Sequence, residues 1–379
     1  MQTDPMMRLL ILLAAASLSA GFGTAQKIND AIQKKDGARV RGLEITRFLL
    51  SGVHAKRGSD TVEVPAHQVL DVEWSNLPES FVVGRAAMQR GDFRNAVQMF
   101  GEAMNQTDRP LLKVDAEFFL IKAAVAAIGA DQSAAATAAQ RAKSWLAANT
   151  NHWRTPEALL LAGRAERLAG TGAAAASTLR ELDDRATREG FGAVWNARAK
   201  SELAMTLLAE GKASEARTTF QSARAAADNA LAKPSPDDAE LRSLKMLARA
   251  GEGETWLSEK DFARAESFFH GLATGNETDL VAAGHAGEGE AIFLSAVATS
   301  RCDEVRRAQL SLAKACVLDA QNSEASAKAN YYLGRCLEAL GPEREGDSFQ
   351  ARADAYFQTV ASHYPGSRWA TEAKLEQQR

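Results

Sequence analysis

The chain has 379 residues, 46% of them hydrophobic and 25% charged, a composition typical of a folded chain rather than a disordered one. Its 45 basic and 48 acidic residues nearly cancel and form no long block of one sign, which argues against a nucleic-acid partner. The length exceeds one ordinary hydrophobic core and predicts two units or an extended array. Alanine dominates the apolar share and aromatic residues make up only 7%, which favours closely packed helices.

An apolar run close to the N-terminus predicts an export signal. A single arginine precedes the run at residues 9–16, and small residues follow it. Gly23 and Ala25 satisfy the small-x-small rule for cleavage before Gln26, so residues 1–25 are predicted to be a signal peptide. The alternative is an uncleaved membrane anchor, but the run is shorter than the about 20 residues of a membrane span. We expect an exported chain, periplasmic or secreted, with no transmembrane span after cleavage.

Residues 26–78 are predicted to form a small β-rich domain. The stretch 37–76 is strand-like, because apolar and polar residues alternate at 61–64 and again at 70–74. Asp36-Gly37 supplies turn chemistry before it. Three or four short antiparallel strands of this kind would make a small barrel or a curled sheet. Such a unit is marginal alone, so we expect it to pack against the first helices.

From about residue 79 the apolar period becomes helical, and a spaced pattern of small and aromatic residues begins. Its first copy places Gly84, Gly91, Ala96 and Phe100 at fixed intervals, with an aspartate and a phenylalanine directly after Gly91. Later copies, complete or partial, contain Gly163, Ala204, Gly211, Ala216, Phe220, Gly253, Ala265, Phe269, Gly289, Ala308, Gly334, Ala353 and Phe357. Small residues at these intervals let two helices approach closely, and the turn glycine permits the reversal between them.

This pattern resembles the tetratricopeptide repeat family over about three quarters of the chain. The resemblance implies a mainly α fold, an α-solenoid of about seven helical pairs over residues 79–379, preceded by the small antiparallel β unit. The small-residue positions lie near 84, 122, 163, 204, 253, 289 and 334, and Lys122 is the exception among them. The resemblance also implies a superhelical groove that takes a peptide or a protein partner.

The C-terminal segment resembles a second group of proteins, the repeat proteins of bacterial envelopes. Its Tyr364-Pro365-Gly366-Ser367 and Ala370 match their Tyr-Pro-x-Ser-x-x-Ala junction, in which Pro365 would end one helix and Ser367 would cap the next. The helix after it, roughly residues 367–377, is predicted to cap the array. The barrel-assembly lipoproteins of this group carry a lipidated cysteine, and the Tol-Pal coordinators carry a coiled coil, neither of which matches this chain. The resemblance therefore implies an exported bacterial envelope type and names no partner.

The sequence shows no motif for catalysis, and we expect no enzyme, no cofactor and no metal. The six histidines form no H-E-x-x-H, and no phosphate-binding loop or nucleophile elbow occurs. His285 and Glu288 are interpreted as a solvated helix pair in preference to half of a metal site. Acidic residues that repeat in two copies are interpreted as a solvated helix face, although the alternative is a groove for basic ligands. These acids are Glu252, Glu254, Glu288 and Glu290.

Tryptophans and cysteines are the remaining candidates. Five tryptophans are interpreted as core residues in preference to exposed partner anchors, namely Trp145, Trp153, Trp195, Trp256 and Trp369. If one helix ends near residue 319 and the next returns antiparallel, Cys302 and Cys336 lie nearly level, whereas Cys316 is offset by about 16 Å from Cys336. A Cys302–Cys336 disulfide is therefore predicted, with three buried thiols as the alternative.

The leading hypothesis is a non-catalytic protein-interaction scaffold in the bacterial cell envelope. A peptide or protein partner would bind in the groove, and the β unit would add a second contact surface. One alternative is a structural organiser, a homo-oligomer that spaces envelope components. Another is an enzyme with its site in the β unit, which no catalytic constellation supports.

Overall fold

The computed structural model describes residues 28–129, 132–319, 324–341 and 348–378. The predicted signal peptide at residues 1–25 lies outside this part of the chain. Five β-strands come first, and fifteen α-helices follow within the described residues. No helix in these ranges combines the length and the hydropathy that a membrane span requires.

The strands form one antiparallel sheet. They are β1 (Asp30–Lys34), β2 (Arg39–Leu49), β3 (Gly52–Arg57), β4 (Asp60–Pro65) and β5 (Val69–Glu73), and a short 3-10 turn at Ala66–Gln68 precedes β5. Their order across the sheet is β4-β3-β2-β1-β5, so β4 and β5 are the edge strands. The long β2 pairs with β1 along its first half and with β3 along its second. The sheet is therefore open, and β2 pairs with one neighbour on each side.

The prediction of three or four strands beginning at residue 37 was wrong, because β1 lies before that point. In β1 the two apolar residues, Ala31 and Ile32, are adjacent and do not alternate with polar ones. The strand is nevertheless central, and Ile32 is fully buried between β2 and β5. The alternating stretches form β4 and β5 as predicted, and Gly37 turns the chain between β1 and β2 with a φ of +85°.

The helices form seven antiparallel pairs and one final helix. In each pair we call the first helix the A helix and the second the B helix. The pairs are α1 (Glu79–Gln89) with α2 (Phe93–Gln106), α3 (Pro110–Ala126) with α4 (Gln132–Ala148), α5 (Thr155–Leu168) with α6 (Gly172–Arg188), α7 (Ala193–Ala209) with α8 (Ala213–Leu231), α9 (Asp238–Ser258) with α10 (Phe262–Ala273), α11 (Thr278–Thr299) with α12 (Cys302–Leu318), and α13 (Glu324–Leu340) with α14 (Phe349–His363). The last helix is α15 (Arg368–Glu376). The predicted solenoid of about seven pairs is confirmed.

The framework residues lie where the helices of a pair are closest. A Cβ atom added at Gly253 would stand 2.3 Å from the Phe269 ring, and one at Gly334 would stand 2.6 Å from the Phe357 ring. Gly84 meets the ring of Phe100 in the same way, and Gly163 and Gly289 meet leucines of their B helices. The framework alanines are all fully buried, namely Ala96, Ala204, Ala216, Ala265, Ala308 and Ala353. Since a side chain at the glycines would collide with the facing helix, small residues set the helix spacing.

The turns between paired helices follow the sequence pattern as well. Gly91 and Gly211 both have a φ of +75°, a left-handed conformation that favours glycine. At the C-terminal junction Pro365 follows the end of α14, and the Ser367 hydroxyl accepts a hydrogen bond from the Ala370 amide at 3.2 Å. Ser367 is therefore the N-cap of α15.

The sheet and the first helices share one hydrophobic core, as expected for a β unit of this size. Ile32 and Phe48 of the sheet and Phe81 and Phe100 of the first helical pair belong to the same buried cluster. Trp74, just after β5, donates a hydrogen bond from Nε1 to Asp115 of α3 at 2.8 Å. The sheet is thus joined to the array by both apolar and polar contacts.

Arg154 is the polar centre of this junction. It lies just before α5 and is only 4% exposed. Its Nε donates to Asp115 at 2.9 Å, and its Nη2 donates to Asp71 of β5 at 2.9 Å. Burial alone would raise the pKa of Asp71, but the charges of Arg154 and Arg85 hold this pKa below its ordinary value. One buried cation therefore connects the sheet, α3 and the start of α5.

Candidate functional site

Charged side chains link successive A helices. The links are Lys122 of α3 with Glu157 of α5, Arg164 of α5 with Glu202 of α7, and Arg198 of α7 with Glu240 of α9. Each pair joins an A helix to the next A helix in the array. The pairs therefore mark a surface that the A helices share.

One stripe of α9 lies on this surface along its whole length. Glu240, Leu247 and Glu254 are spaced by seven residues, about two helical turns, so they lie on the same side of the helix. Glu240 pairs with Arg198 of α7, and Glu254 pairs with Lys328 of α13. Leu247, midway between the two acids, is 43% exposed. We call this surface the inner face and define it by Arg198, Met205, Glu240, Leu247, Glu254, Glu290 and Lys328.

The inner face is concave at its C-terminal end. Lys328 of α13 reaches Glu254 of α9 past the intervening α11, and Arg368 of α15 donates to Glu254 at 2.8 Å. Packed helices lie about 8–10 Å apart, so a straight row would separate α9 from α15 by about 25–30 Å. An arginine–glutamate contact over that span requires the row of A helices to curve around this face. The groove that stacked repeats predict is therefore present here.

The closed end of the groove contains a buried group of charges. Lys328 is 7% exposed and pairs with both Glu254 and Glu290, the latter at 2.6 Å. The Tyr332 hydroxyl donates to Glu290 at 2.7 Å. Burial alone would raise the pKa of Glu254, but Lys328 and Arg368 lower it to about 2. Burial raises the pKa of Glu290, and the neighbouring carboxylate of Glu254 adds to that rise despite Lys328.

The interpretation of the repeated acids as a solvated face was wrong. Glu252 and Glu290 are 4% and 5% exposed. Glu288 accepts hydrogen bonds from Ser311 at 2.7 Å and lies 2.8 Å from the ring nitrogen of His270. His285 and Glu288 are therefore part of a contact among α10, α11 and α12, and they are not a free surface pair. In the described part of the chain no histidine, cysteine and carboxylate groups are arranged as a metal site.

The tryptophans lie in the core or under arginine side chains. Trp145, Trp153 and Trp369 are at most 7% exposed. Trp195 is half-buried with the Arg198 guanidinium 4.3 Å from its ring, and Trp256 is half-buried with that of Arg217 at 3.2 Å. The core interpretation describes the first three, and cation–π contacts cover the other two.

The predicted Cys302–Cys336 disulfide is not formed, because all three cysteines are free. Cys302 is exposed at the start of α12, Cys336 is fully buried in α13, and Cys316 is intermediate. The antiparallel course of α12 and α13 matches the assumption behind the prediction. Two residues at the same height along neighbouring helices can still point their side chains in different directions. The Cys302 thiol faces solvent, whereas the Cys336 thiol faces the core. Burial raises the pKa of Cys336 to about 12, which keeps it a thiol.

A cavity of about 290 Å³ lies between α4, α5 and α6, away from the inner face. The charged side chains on its wall already have partners. Lys143 pairs with Glu166, and Arg185 pairs with Glu181 and Glu189. This wall offers a ligand no unpaired charge among these residues.

Seven antiparallel pairs, small residues at their closest approach and a curved row of A helices define a tetratricopeptide-like α-solenoid. No family model matches the chain, and no curated protein matches it.

Solved structures with similar helical arrays exist. A signal-transduction ATPase with a tetratricopeptide repeat sensor from Pyrococcus horikoshii matches 79% of this chain with a TM-score of 0.47 and 13% identity. The matched part is 43% of that protein, less than half of its length. The apo quorum sensor NprR from B. thuringiensis matches 78% of this chain and 85% of its own, with a TM-score of 0.46 and 11% identity. A Rap protein complexed with Competence and Sporulation Factor matches 69% of this chain and 73% of its own, with a TM-score of 0.43 and 13% identity. The fold assignment rests on the helices and contacts described above and not on these structures.

Proposed function

We propose that this chain is a non-catalytic scaffold that binds a peptide or protein segment on its inner face. The observation that carries the proposal is the concave row of A helices with an apolar centre, formed by exposed Leu247 of α9 and half-buried Met205 of α7. Charged pairs flank that centre on both sides, at Arg198–Glu240 and at Glu254–Lys328. An apolar centre with a charged rim is the usual anatomy of a protein interface.

The proposed compartment is the bacterial cell envelope, with the chain exported to the periplasm or secreted. The support is the apolar run at residues 9–16 with the small-x-small pattern at Gly23 and Ala25. The junction around Pro365 and Ser367, similar to that of envelope repeat proteins, agrees with this proposal.

A second candidate function is a self-assembling organiser. Leu310 and Val317 lie seven residues apart on one side of α12, and they are 60% and 84% exposed. Two apolar side chains with this exposure on the same side of one helix favour an interface on the B-helix side. Light scattering separates the candidates, because the organiser is a stable oligomer and the peptide-binding scaffold is a monomer when free.

Affinity capture with matched variants tests the proposed function. Leu247→Glu adds a charge to the inner face, and Leu310→Glu adds the same charge to the outer side of α12. We expect the wild type and Leu310→Glu to retain the same specific partner from envelope extracts, and Leu247→Glu to retain about tenfold less. Equal retention by all three proteins, or selective loss with Leu310→Glu, would contradict the proposal.

A further inference from the structure

The last helix closes the groove with one exposed basic residue and one buried aromatic residue. Arg368 is the first residue of α15, and its side chain is 54% exposed although it reaches Glu254 from 114 positions away. The next residue, Trp369, is 5% exposed and packs against Tyr331 and Tyr332 of α13, with ring centroids at 5.3 and 5.4 Å. A short segment of the chain thus presents an adjacent cation and aromatic ring to the inner face.

The charges on the other side of this contact favour a cation. Glu254 and Glu290 face a single buried amine, that of Lys328. Without Arg368, two carboxylates would share one cation in a site that excludes most water. A buried negative charge without a partner is costly, so this site has affinity for one further basic group. The two tyrosine rings beside it offer a surface for an aromatic side chain.

The last helix, α15, is short and is joined to α14 by an exposed connection. The helix has only nine residues, and Pro365 and Gly366, both exposed, connect it to α14. Leu375 of α15 is 49% exposed, so the outer side of this helix is not covered. Lys328, by contrast, is held in place by two carboxylates and by burial. The release of α15 exposes three buried residues, Trp369, Ala370 and Ala373, whereas α13 buries ten, so the C-terminal helix is the member of this group that is easiest to displace.

We propose that the end of the inner face formed by Glu254, Glu290, Tyr331 and Tyr332 recognises a protein segment that presents a basic residue beside an aromatic residue. In the chain described here, Arg368 and Trp369 of α15 occupy that site, and an incoming segment replaces them. This inference rests on the proposed function, because it takes the inner face as the binding face. It adds the chemical class of the partner and an occupant with which the partner competes.

The chain's own C-terminus provides the probe. A labelled synthetic peptide of residues 364–378 is titrated into the full chain, and binding is followed by fluorescence anisotropy. We expect binding to an Arg368→Ala/Trp369→Ala variant, and about tenfold weaker binding to the wild type, whose α15 competes. Adding Glu254→Gln to that variant is expected to weaken peptide binding by about tenfold or more, as is replacing Arg368 by alanine in the peptide.

Two further variants of α15 serve as controls for the peptide-binding experiment. Lys374→Ala changes an exposed basic residue of the same helix and should bind the peptide as the wild type does. If the double variant does not fold, the single Arg368→Ala variant, which loses only a half-exposed side chain, takes its place. Failure of the peptide to bind either variant, or binding that Glu254→Gln leaves unchanged, would overturn the inference. Capture of a partner through Leu247 does not depend on this result, so the two proposals fail separately.

Discussion

Replacing Arg154 with methionine is expected to lower the free energy of unfolding by about 3–5 kcal/mol, the usual loss when a buried ion pair is broken on one side. The guanidinium is 4% exposed and hydrogen-bonds both Asp71 and Asp115. Its removal leaves Asp115 buried without this cation and leaves Asp71 with Arg85 alone. Urea unfolding followed by circular dichroism measures the change.

Arg188→Met is the matched control. The Arg188 side chain is 69% exposed, and it forms an ion pair with Glu189, the next residue in the chain. Its expected change is within about 0.5 kcal/mol. Arg154→Lys should behave like the methionine variant in direction, because one ammonium group lacks the planar fork that holds two carboxylates. A loss at Arg154 no larger than that at Arg188 would show that the junction does not depend on this cation.

Gly284→Ala is expected to destabilise the array by about 3 kcal/mol, the upper range for overpacking a close contact. An added Cβ atom would stand 2.3 Å from the Ala273 backbone nitrogen and 2.8 Å from its Cα. These are main-chain atoms of α10, so no side-chain rotation relieves the contact, and α10 and α11 must move apart. The melting temperature and the urea midpoint both report the change.

Gly271→Ala is the control for the collision between helices that Gly284→Ala is expected to cause. Gly271 also lies in α10, but a Cβ atom there meets nothing within 4 Å. Gly271→Ala is therefore expected to stabilise the chain by about 0.5–1 kcal/mol through helix propensity alone. Destabilisation of similar size at both glycines would contradict the account of helix spacing.

The repeat spacing predicts the helical pairs because it reflects contacts within one pair. Gly253 and Phe269 are close in sequence, and the size of one side chain directly limits the position of the other. The same reasoning did not identify Gly284, because its contact is with the backbone of α10 and not with a large side chain in the pattern. Strand β1 was missed for a related reason, since its burial comes from its central position and not from alternation.

The charges of the inner face could not be assigned from sequence. Glu254 meets Lys328 and Arg368, which are 74 and 114 positions away, only because the row of A helices curves. Curvature accumulates from small rotations between repeats, and no single motif encodes it. The acids therefore resembled a solvated helix face, which is the common environment of glutamate. The disulfide prediction failed for a similar reason. It compared the heights of Cys302 and Cys336 along their helix axes, but not the directions of their side chains.

Site-specific photo-crosslinking in cells that make the protein shows whether the inner face is the surface that binds the partner. A photoreactive residue is placed at Leu247 on the inner face and, separately, at Val317, which is 84% exposed on the outer side of α12. We expect the photoreactive residue at Leu247 to give one discrete crosslinked protein, and the one at Val317 to give none. Crosslinking of the same partner from Val317 but not from Leu247 would contradict the assignment of the inner face as the binding face.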